Sequence, residues 1–159
     1  MKRALFVLFA VLALTACNDR PTPSGFEVGG HPYQWNMIGF PGQGRLVLSR
    51  MEGPNRGRAV LEVICTDPGY GGLTLNFGDL TDGSLSLTAG GKVFALDAKR
   101  KESHGRISLG GQGYIPDGWY EALGAAEQVV ITHGRDHWAF DGPGKNLTRH
   151  FARYCRRKS

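Results

Sequence analysis

The sequence predicts a mainly β protein, an antiparallel β-sandwich or flattened barrel with two short helices, the C-terminal one clamped by a disulfide. Short segments of alternating apolar and polar residues recur between turn residues, which is typical of antiparallel strands. Glycine makes up 24 of the 159 residues, about twice its usual share, and this favours many turns. The length fits one domain and excludes large multidomain enzymes.

The N-terminal residues have the organisation of an export signal. Lys2 and Arg3 give a positive start, and residues 4–14 form an apolar run shorter than the roughly 18 residues of a membrane-spanning helix. The segment Leu14-Thr15-Ala16-Cys17 resembles the lipobox of bacterial lipoproteins. This resemblance implies that a signal peptide, residues 1–16, is removed and that Cys17 carries fatty acyl chains such as palmitate. An ordinary secretory signal with a chance cysteine is the alternative.

A tether is predicted to join the lipid to the folded part. Residues 17–25 are the lipidated cysteine and a flexible tether, because 18–25 contain two prolines and a glycine but no large apolar side chain. Residues 26–159 then form a single β-rich domain. Lipidation predicts a protein anchored in the bacterial cell envelope and facing the periplasm. Asn18 favours the outer membrane, whereas Asp19 leaves the choice between inner and outer membrane open.

Eight strands are predicted along this domain. They cover residues 45–51, 59–66, 73–79, 84–88, 92–98, 106–110, 128–133 and 137–141. In the second strand Leu61, Val63 and Cys65 share one face, while Glu62 points the other way. This pattern indicates an antiparallel sheet with one buried and one solvated face.

Glycine pairs predict the turns between strands, and an aromatic, glycine-rich segment predicts additional strands. Asp82-Gly83 and Gly90-Gly91 are predicted to be tight hairpin turns, because each pair lies between two strand-like segments. The aromatic and glycine-rich segment 26–44 is expected to supply one or two further strands.

Two helices interrupt the strand pattern. Asp117 is predicted to cap a short helix that stops at Gly124. A second helix over residues 145–154 places Phe151 and Cys155 four positions apart on one face. Cys155 should therefore point toward the core.

The cysteines divide into one anchor and one pair. With Cys17 assigned to the lipid, Cys65 and Cys155 remain as an even pair in an oxidising compartment. We expect one disulfide between them, which would hold the C-terminal helix against a strand. No CxxC motif is present, so a redox role is not expected.

The positive charge is concentrated at the C-terminus. Residues 17–148 contain 12 basic and 14 acidic side chains, a balance of −2, whereas residues 149–159 carry a charge of +5. Such a cluster could contact anionic lipid headgroups or an acidic partner. A solvated terminal helix, whose cations favour its C-terminal dipole, is an equally good interpretation. Nucleic acid is not an expected partner of an exported chain.

The common catalytic motifs are missing from the sequence. It contains no GxSxG, no HExxH and no Walker loop, and its carboxylates are scattered singly through predicted turns. We therefore expect a protein without enzymatic activity and without a cofactor.

One histidine cluster is a candidate metal site. His133, Asp136 and His137 flank a predicted hairpin turn, and imidazole suits zinc or copper. A third ligand such as His31 or His104 would have to fold nearby. Histidines are also common in turns and at sheet edges without any metal.

Aromatic residues suggest a binding surface. Trp119 and Tyr120 are the preferred patch, because adjacent helical residues are not expected to face inward together, and Trp138 is a further candidate. Such residues also close the ends of the core in glycine-rich β proteins.

The order of the elements resembles a known type of envelope protein. A strand ending in cysteine (VLEVICT), short hairpins, a proline-led helix (PDGWYEALGAA), two strands and a helix ending in cysteine (LTRHFARYC) follow one another. This order is similar to the invasion-associated locus B family and to type VI secretion-associated periplasmic lipoproteins, over residues 59–155. The resemblance implies a β-sandwich with an accessory role in the cell envelope and no catalytic residues.

Three functions remain open from the sequence. The first is a lipid-anchored, non-enzymatic module that binds a protein or glycan in the periplasm. The second is an inhibitor of lysozyme-type hydrolases that uses the acidic loop from Asp79 to Asp82. The third is a metal-binding protein or metal-dependent hydrolase built on His133 and His137.

Overall fold

The structure is a computed structural model, and it describes residues 33–40, 43–67, 69–77 and 80–156. This part of the chain forms nine strands and two helices. The strands are β1 (Tyr33–Phe40), β2 (Gln43–Arg50), β3 (Ala59–Asp67), β4 (Tyr70–Leu75), β5 (Gly83–Ala89), β6 (Lys92–Ser103), β7 (Arg106–Tyr114), β8 (Gln128–His133) and β9 (Asp136–Asp141). The helices are α1 (Trp119–Ala125) and α2 (Lys145–Arg156).

All nine strands belong to one antiparallel, nearly closed sheet, as the sequence predicted for a flattened barrel. Their order is β1-β2-β3-β4-β7-β6-β5-β8-β9. Strand β6 joins the two halves: its first part pairs with β5 up to Ala98, and its second part pairs with β7 from Lys99. The change of partner bends the sheet and lets it wrap around a single core.

The first and last strands of this order approach each other at a seam. The Trp35 indole Nε1 donates a hydrogen bond of 2.7 Å to the carbonyl oxygen of Asp141, which links β1 to β9. Tyr33 and Phe140 pack edge to face across the same gap, with ring centroids 5.2 Å apart. The barrel is therefore closed here by side chains, because no ladder of main-chain hydrogen bonds joins β1 and β9 among the described strands.

Alternating side chains fill the interior. Leu61, Val63 and Cys65 are fully buried on one face of β3, whereas Glu62 lies on the other face and is half-buried. The predicted alternation is therefore confirmed. The largest fully buried side chains are Trp119, Phe94, Phe151 and the leucines at 46, 48, 61, 73, 75, 85, 87, 109 and 123.

Helix α2 packs on a glycine pair in the first hairpin. Gly39 of β1 lies directly opposite Gly44 of β2. A Cβ atom on Gly39 would come within 2.7 Å of the Tyr154 ring, and one on Gly44 within 3.0 Å of the Phe151 ring. The two glycines thus make room for aromatic side chains of α2.

The predicted disulfide is confirmed. Cys65 at the end of β3 is bonded to Cys155 in the last turn of α2, and the two cysteines are 90 positions apart in the sequence. Both sulfur-bearing side chains are buried. The bond fixes α2 to the sheet beside the glycine pair.

Two local predictions are wrong. Asp117 does not cap α1: the N-cap position is Gly118, whose φ of 70° is left-handed, and no side chain caps the helix. Asp82-Gly83 is not a hairpin turn, because β4 pairs with β7 and not with the following strand β5. Gly90-Gly91 does form the predicted turn between β5 and β6.

Several strand boundaries also differ from the predicted ones. Strand β4 begins at Tyr70 rather than at residue 73, β6 continues to Ser103, and β7 continues to Tyr114. The extensions contain a charged run and a glycine run, and neither shows apolar alternation. Of the predicted segment 26–44, residues 26–32 lie outside the described part, and β1 occupies most of the rest.

The strand pairing places the connections at two ends of the barrel. The first end, called the Tyr33 end, holds the start of β1, the loop between Arg50 and Ala59, and the turn between β6 and β7. The second, called the helix end, holds the Gly39 and Gly44 pair, the disulfide and both helices.

Candidate functional site

A groove between the two helices is the candidate site. Its cavity of about 400 Å³ lies at the helix end and is open to solvent. The residues that line it are Tyr120, Glu121, Gly124, Lys145, Thr148, Arg149, Ala152 and Arg153. The helices approach each other closely at Gly124, which has no side chain and is buried against Thr148. A Cβ atom added to this glycine would lie 3.3 Å from the Thr148 Cβ.

The groove is basic because one face of α2 carries a row of cations. Lys145, Arg149 and Arg153 are four positions apart, so they project on the same side of the helix at intervals of about 6 Å. All three side chains are exposed. Among the described residues that line the groove, Glu121 of α1 has the one carboxylate. The arrangement favours ligands with several negative charges.

The expectation that Trp119 offers an exposed surface is wrong. Its side chain is fully buried and packs edge to face on Phe94, with ring centroids 5.4 Å apart. Tyr120 is half-buried and packs on Phe151 of α2 at 5.7 Å. Adjacent residues can both pack inward here because α1 is covered on two sides, by the barrel and by α2. Only Tyr120 of this pair reaches the groove.

Trp138 is buried as well. Its exposed fraction is 7 %, and its ring packs edge to face on Phe77 with a centroid distance of 5.0 Å. It belongs to β9, and it does not line the groove between the helices. The residue therefore closes the core instead of presenting a ring to solvent.

The histidine cluster does not come together. His133 pairs with Asp136 and Thr132 pairs with His137, and directly opposite residues of an antiparallel pair project on the same face. The two imidazoles therefore lie on opposite faces of the hairpin. His133 Nδ1 donates to the Ser84 carbonyl at 3.0 Å, and His137 Nδ1 lies 3.0 Å from the Thr132 hydroxyl.

Other metal ligands are missing around these histidines. Within the part of the chain that the structure describes, no group of three His, Cys, Asp or Glu side chains could hold a metal ion. His104 lies in the turn between β6 and β7, where its Nδ1 is 2.9 Å from the Ser103 hydroxyl. His31 lies outside the described residues.

The acidic loop is engaged within the chain. Asp82 accepts a hydrogen bond of 2.7 Å from the Arg100 main-chain N–H and one of 3.2 Å from Lys99 Nζ. These donors, the main-chain one first, hold the pKa of Asp82 below the usual value of an aspartate. Asp79 lies outside the described residues. The Asp82 carboxylate is thus committed to β6.

Sequence reasoning missed half of the groove. Arg149 and Arg153 were part of the predicted C-terminal basic cluster, but Lys145 and Glu121 were not singled out. The spacing of 145, 149 and 153 on a predicted helix was a usable signal. The groove itself depends on how α1 packs on α2, which the sequence pattern does not specify.

Comparison with known proteins identifies the N-terminus. A family model for the prokaryotic membrane lipoprotein lipid attachment site matches residues 1–18. No curated protein and no solved structure matches the chain. The resemblance to the invasion-associated locus B and type VI secretion-associated families finds no support in these comparisons.

The attachment site fixes the broad location. It makes the chain a lipid-anchored protein of the bacterial cell envelope. Cys17, the predicted lipidated residue, lies outside the described residues. Among the helices that the structure describes, none is long and apolar enough to span a bilayer.

Proposed function

We propose that this lipoprotein is a non-enzymatic binding module that faces the periplasm from the outer membrane and is held there by acyl chains on Cys17. Its ligand is an acidic segment of another envelope protein, bound in the groove between α1 and α2. The observation that supports this best is the row of Lys145, Arg149 and Arg153 along a cavity of about 400 Å³.

The spacing of the cations favours a protein ligand. Carboxylates one helical turn apart are also separated by about 6 Å, so an acidic helix could match the row one charge at a time. Arg149 and Arg153 can each bind a carboxylate through two parallel hydrogen bonds. Half-buried Tyr120 adds apolar contact area at the floor of the groove.

Two of the three cations in the row, Arg149 and Arg153, favour binding over catalysis. A guanidinium group stays protonated and has no acceptor, so it serves neither as nucleophile nor as general base. The lysozyme-type inhibitor and the metal-dependent hydrolase are not proposed. Asp82 is held by Lys99 and Arg100, and the two histidines lie on opposite faces of their hairpin.

In-cell photo-crosslinking tests the proposal. A photo-reactive residue replaces Glu121, an exposed lining position of α1, in the full-length protein. Irradiation is expected to yield a discrete adduct with an acidic protein. The variant Lys145→Gln/Arg149→Gln/Arg153→Gln should reduce its yield about tenfold or more, because its charge-assisted hydrogen bonds are lost.

A matched variant controls for net charge. Arg56→Gln/Arg58→Gln/Arg106→Gln removes the same three charges from the Tyr33 end and should leave the adduct unchanged. An adduct that is insensitive to the α2 substitutions would contradict the proposal. So would adducts that carry only glycan, since the site would then recognise an envelope polysaccharide.

A further inference from the structure

A second basic site lies at the opposite end of the barrel. A cleft of about 630 Å³ is bounded by the loop between β2 and β3, by the end of β4 and by the turn between β6 and β7. Three arginines line it, Arg56 and Arg58 from the loop and Arg106 from the first position of β7. Residues from two distant parts of the sequence thus form one positive surface.

The charges of these arginines are not paired within the described part of the chain. Their side chains are exposed, and none of the three guanidinium groups takes part in an ion pair or side-chain hydrogen bond with another described residue. Among the described lining residues the one carboxylate is that of Glu62, which pairs with Arg45 at 3.2 Å and accepts a hydrogen bond of 3.2 Å from Asn76 Nδ2. The cleft is therefore positive and its positive groups are available.

The loop that carries two of these arginines is ordered by its own backbone. The Gly57 N–H donates to the Arg50 carbonyl at 2.7 Å, and the Arg50 N–H donates to the Arg58 carbonyl at 3.1 Å. A further bond of 3.0 Å joins the Arg56 N–H to the Gly53 carbonyl. Arg56 and Arg58 are thus presented from a closed loop, which reduces the entropy lost on binding.

The cleft lies at the end of the barrel where the described chain begins, and this points to its ligand. Tyr33, where the described chain begins, pairs with Arg50 at the base of this loop. Cys17 is 16 positions earlier, which limits the distance between the acyl chains and Tyr33 to about 55 Å. The described chain therefore begins at the end of the barrel that bears the arginines, and the residues that lead back to Cys17 attach there.

We propose that the Tyr33 end docks on the membrane, with Arg56, Arg58 and Arg106 bound to phosphate groups of anionic phospholipids. Each basic residue close to an anionic surface increases the docked population about fivefold, so the three together contribute roughly a hundredfold. Docking does not involve the groove between α1 and α2, which lies at the opposite end of the barrel. Membrane docking does not depend on which ligand the groove binds, so either proposal can be wrong while the other is right.

Contact quenching in vesicles tests the orientation. The lipidated full-length protein is labelled with a fluorophore at Ser103→Cys, an exposed position at the Tyr33 end, or at Asn146→Cys, an exposed position at the helix end. A headgroup-labelled lipid serves as quencher in vesicles of phosphatidylcholine with or without phosphatidylglycerol. Strong quenching is expected at 103 and weak quenching at 146, only with phosphatidylglycerol, and it should disappear in high salt.

Two triple variants decide between the ends of the molecule. Arg56→Gln/Arg58→Gln/Arg106→Gln should abolish quenching at 103, while Lys145→Gln/Arg149→Gln/Arg153→Gln should leave it unchanged. Stronger quenching at 146 than at 103, or quenching at 103 that survives loss of the three arginines, overturns the proposal. Equal quenching in vesicles without phosphatidylglycerol also overturns it. The substituted side chains are exposed, so thermal unfolding should be unaffected.

Discussion

Single glycines of β7 differ in the space around them. A Cβ atom added to Gly111 would overlap the carbonyl oxygen of Asp97 on the neighbouring strand β6. A Cβ on Gly113, two positions further along the same strand, would have Leu96 Cβ as its nearest neighbour at 3.5 Å. The first position therefore has no room for a side chain, whereas the second accepts one at ordinary van der Waals distance.

Gly111→Ala should destabilise the protein more than Gly113→Ala. We expect the first substitution to lower the free energy of unfolding by about 1–3 kcal/mol or more, because β6 must move away. The second should change it by less than about 1 kcal/mol, in either direction. Urea denaturation followed by circular dichroism measures both. Equal losses would show that the close approach of Asp97 to Gly111 does not limit packing.

For single residues, the sequence predicts which face of a strand is buried better than it predicts which positions lack room for a side chain. The alternation in β3 correctly placed Leu61 and Val63 inside, because side chains alternate strictly along a strand. The same rule, applied to a two-residue turn, would have placed His133 and His137 on opposite faces. The need for glycine at 39 and 44 was not predictable, because it arises from rings of α2 more than 100 positions away.

Among the elements, α2 depends most on a covalent link. It is attached to the sheet by the Cys65–Cys155 bond and by buried Phe151. In the chain-entropy interpretation, a disulfide that closes a loop of this length stabilises the folded state by up to about 4–5 kcal/mol. That is a large share of the total stability of a single domain.

The variant Cys65→Ala/Cys155→Ala should unfold at a much lower denaturant concentration than the parent protein. Hydrogen exchange should show the amides of α2 opening first, while those of β5 and β8 stay protected, since α2 then keeps only its packing contacts. Cys17→Ser serves as control, because it removes the lipid and leaves this bond. Unchanged protection of α2 would mean that Phe151 and its neighbours hold the helix alone.

Elements with local signals were predicted and elements with distant partners were not. The C-terminal helix and its cysteine followed from residues four positions apart. The turn at Gly90-Gly91 followed from adjacent glycines. The connection after β4 was misjudged because β4 pairs with β7, more than 30 positions later, and no local pattern reports such a pairing. The same holds for the groove between the helices.

For the whole molecule, the seam between β1 and β9 controls closure. Trp35→Phe keeps an aromatic ring but removes the N–H that binds the Asp141 carbonyl, so the free energy of unfolding should fall by about 1 kcal/mol. Hydrogen exchange should become faster at β1 and β9 and remain unchanged at β4 and β7. Gln34→Ala, at an exposed position of β1, is the control. A uniform change in all strands would argue against local opening at the seam.

The distribution of charge is also a property of the whole fold. Counted along the sequence, the positive charge belongs to the C-terminus. In three dimensions, described cations line two separate cavities: Lys145, Arg149 and Arg153 of α2 line one, and Arg56, Arg58 and Arg106 line the other at the opposite end. The second site was not predicted, because nearly 50 sequence positions separate Arg106 from the loop that faces it.

The distance of 90 positions between Cys65 and Cys155 also sets an order of events during export. A chain exported from its N-terminus delivers Cys65 across the membrane long before its partner. Cys65 therefore remains without Cys155 while β4 to β9 follow. If Cys17 already carries the lipid, it has no free thiol that could form a disulfide with Cys65 during this interval. Enzymes that introduce disulfides can then form the Cys65–Cys155 bond only after α2 has been exported.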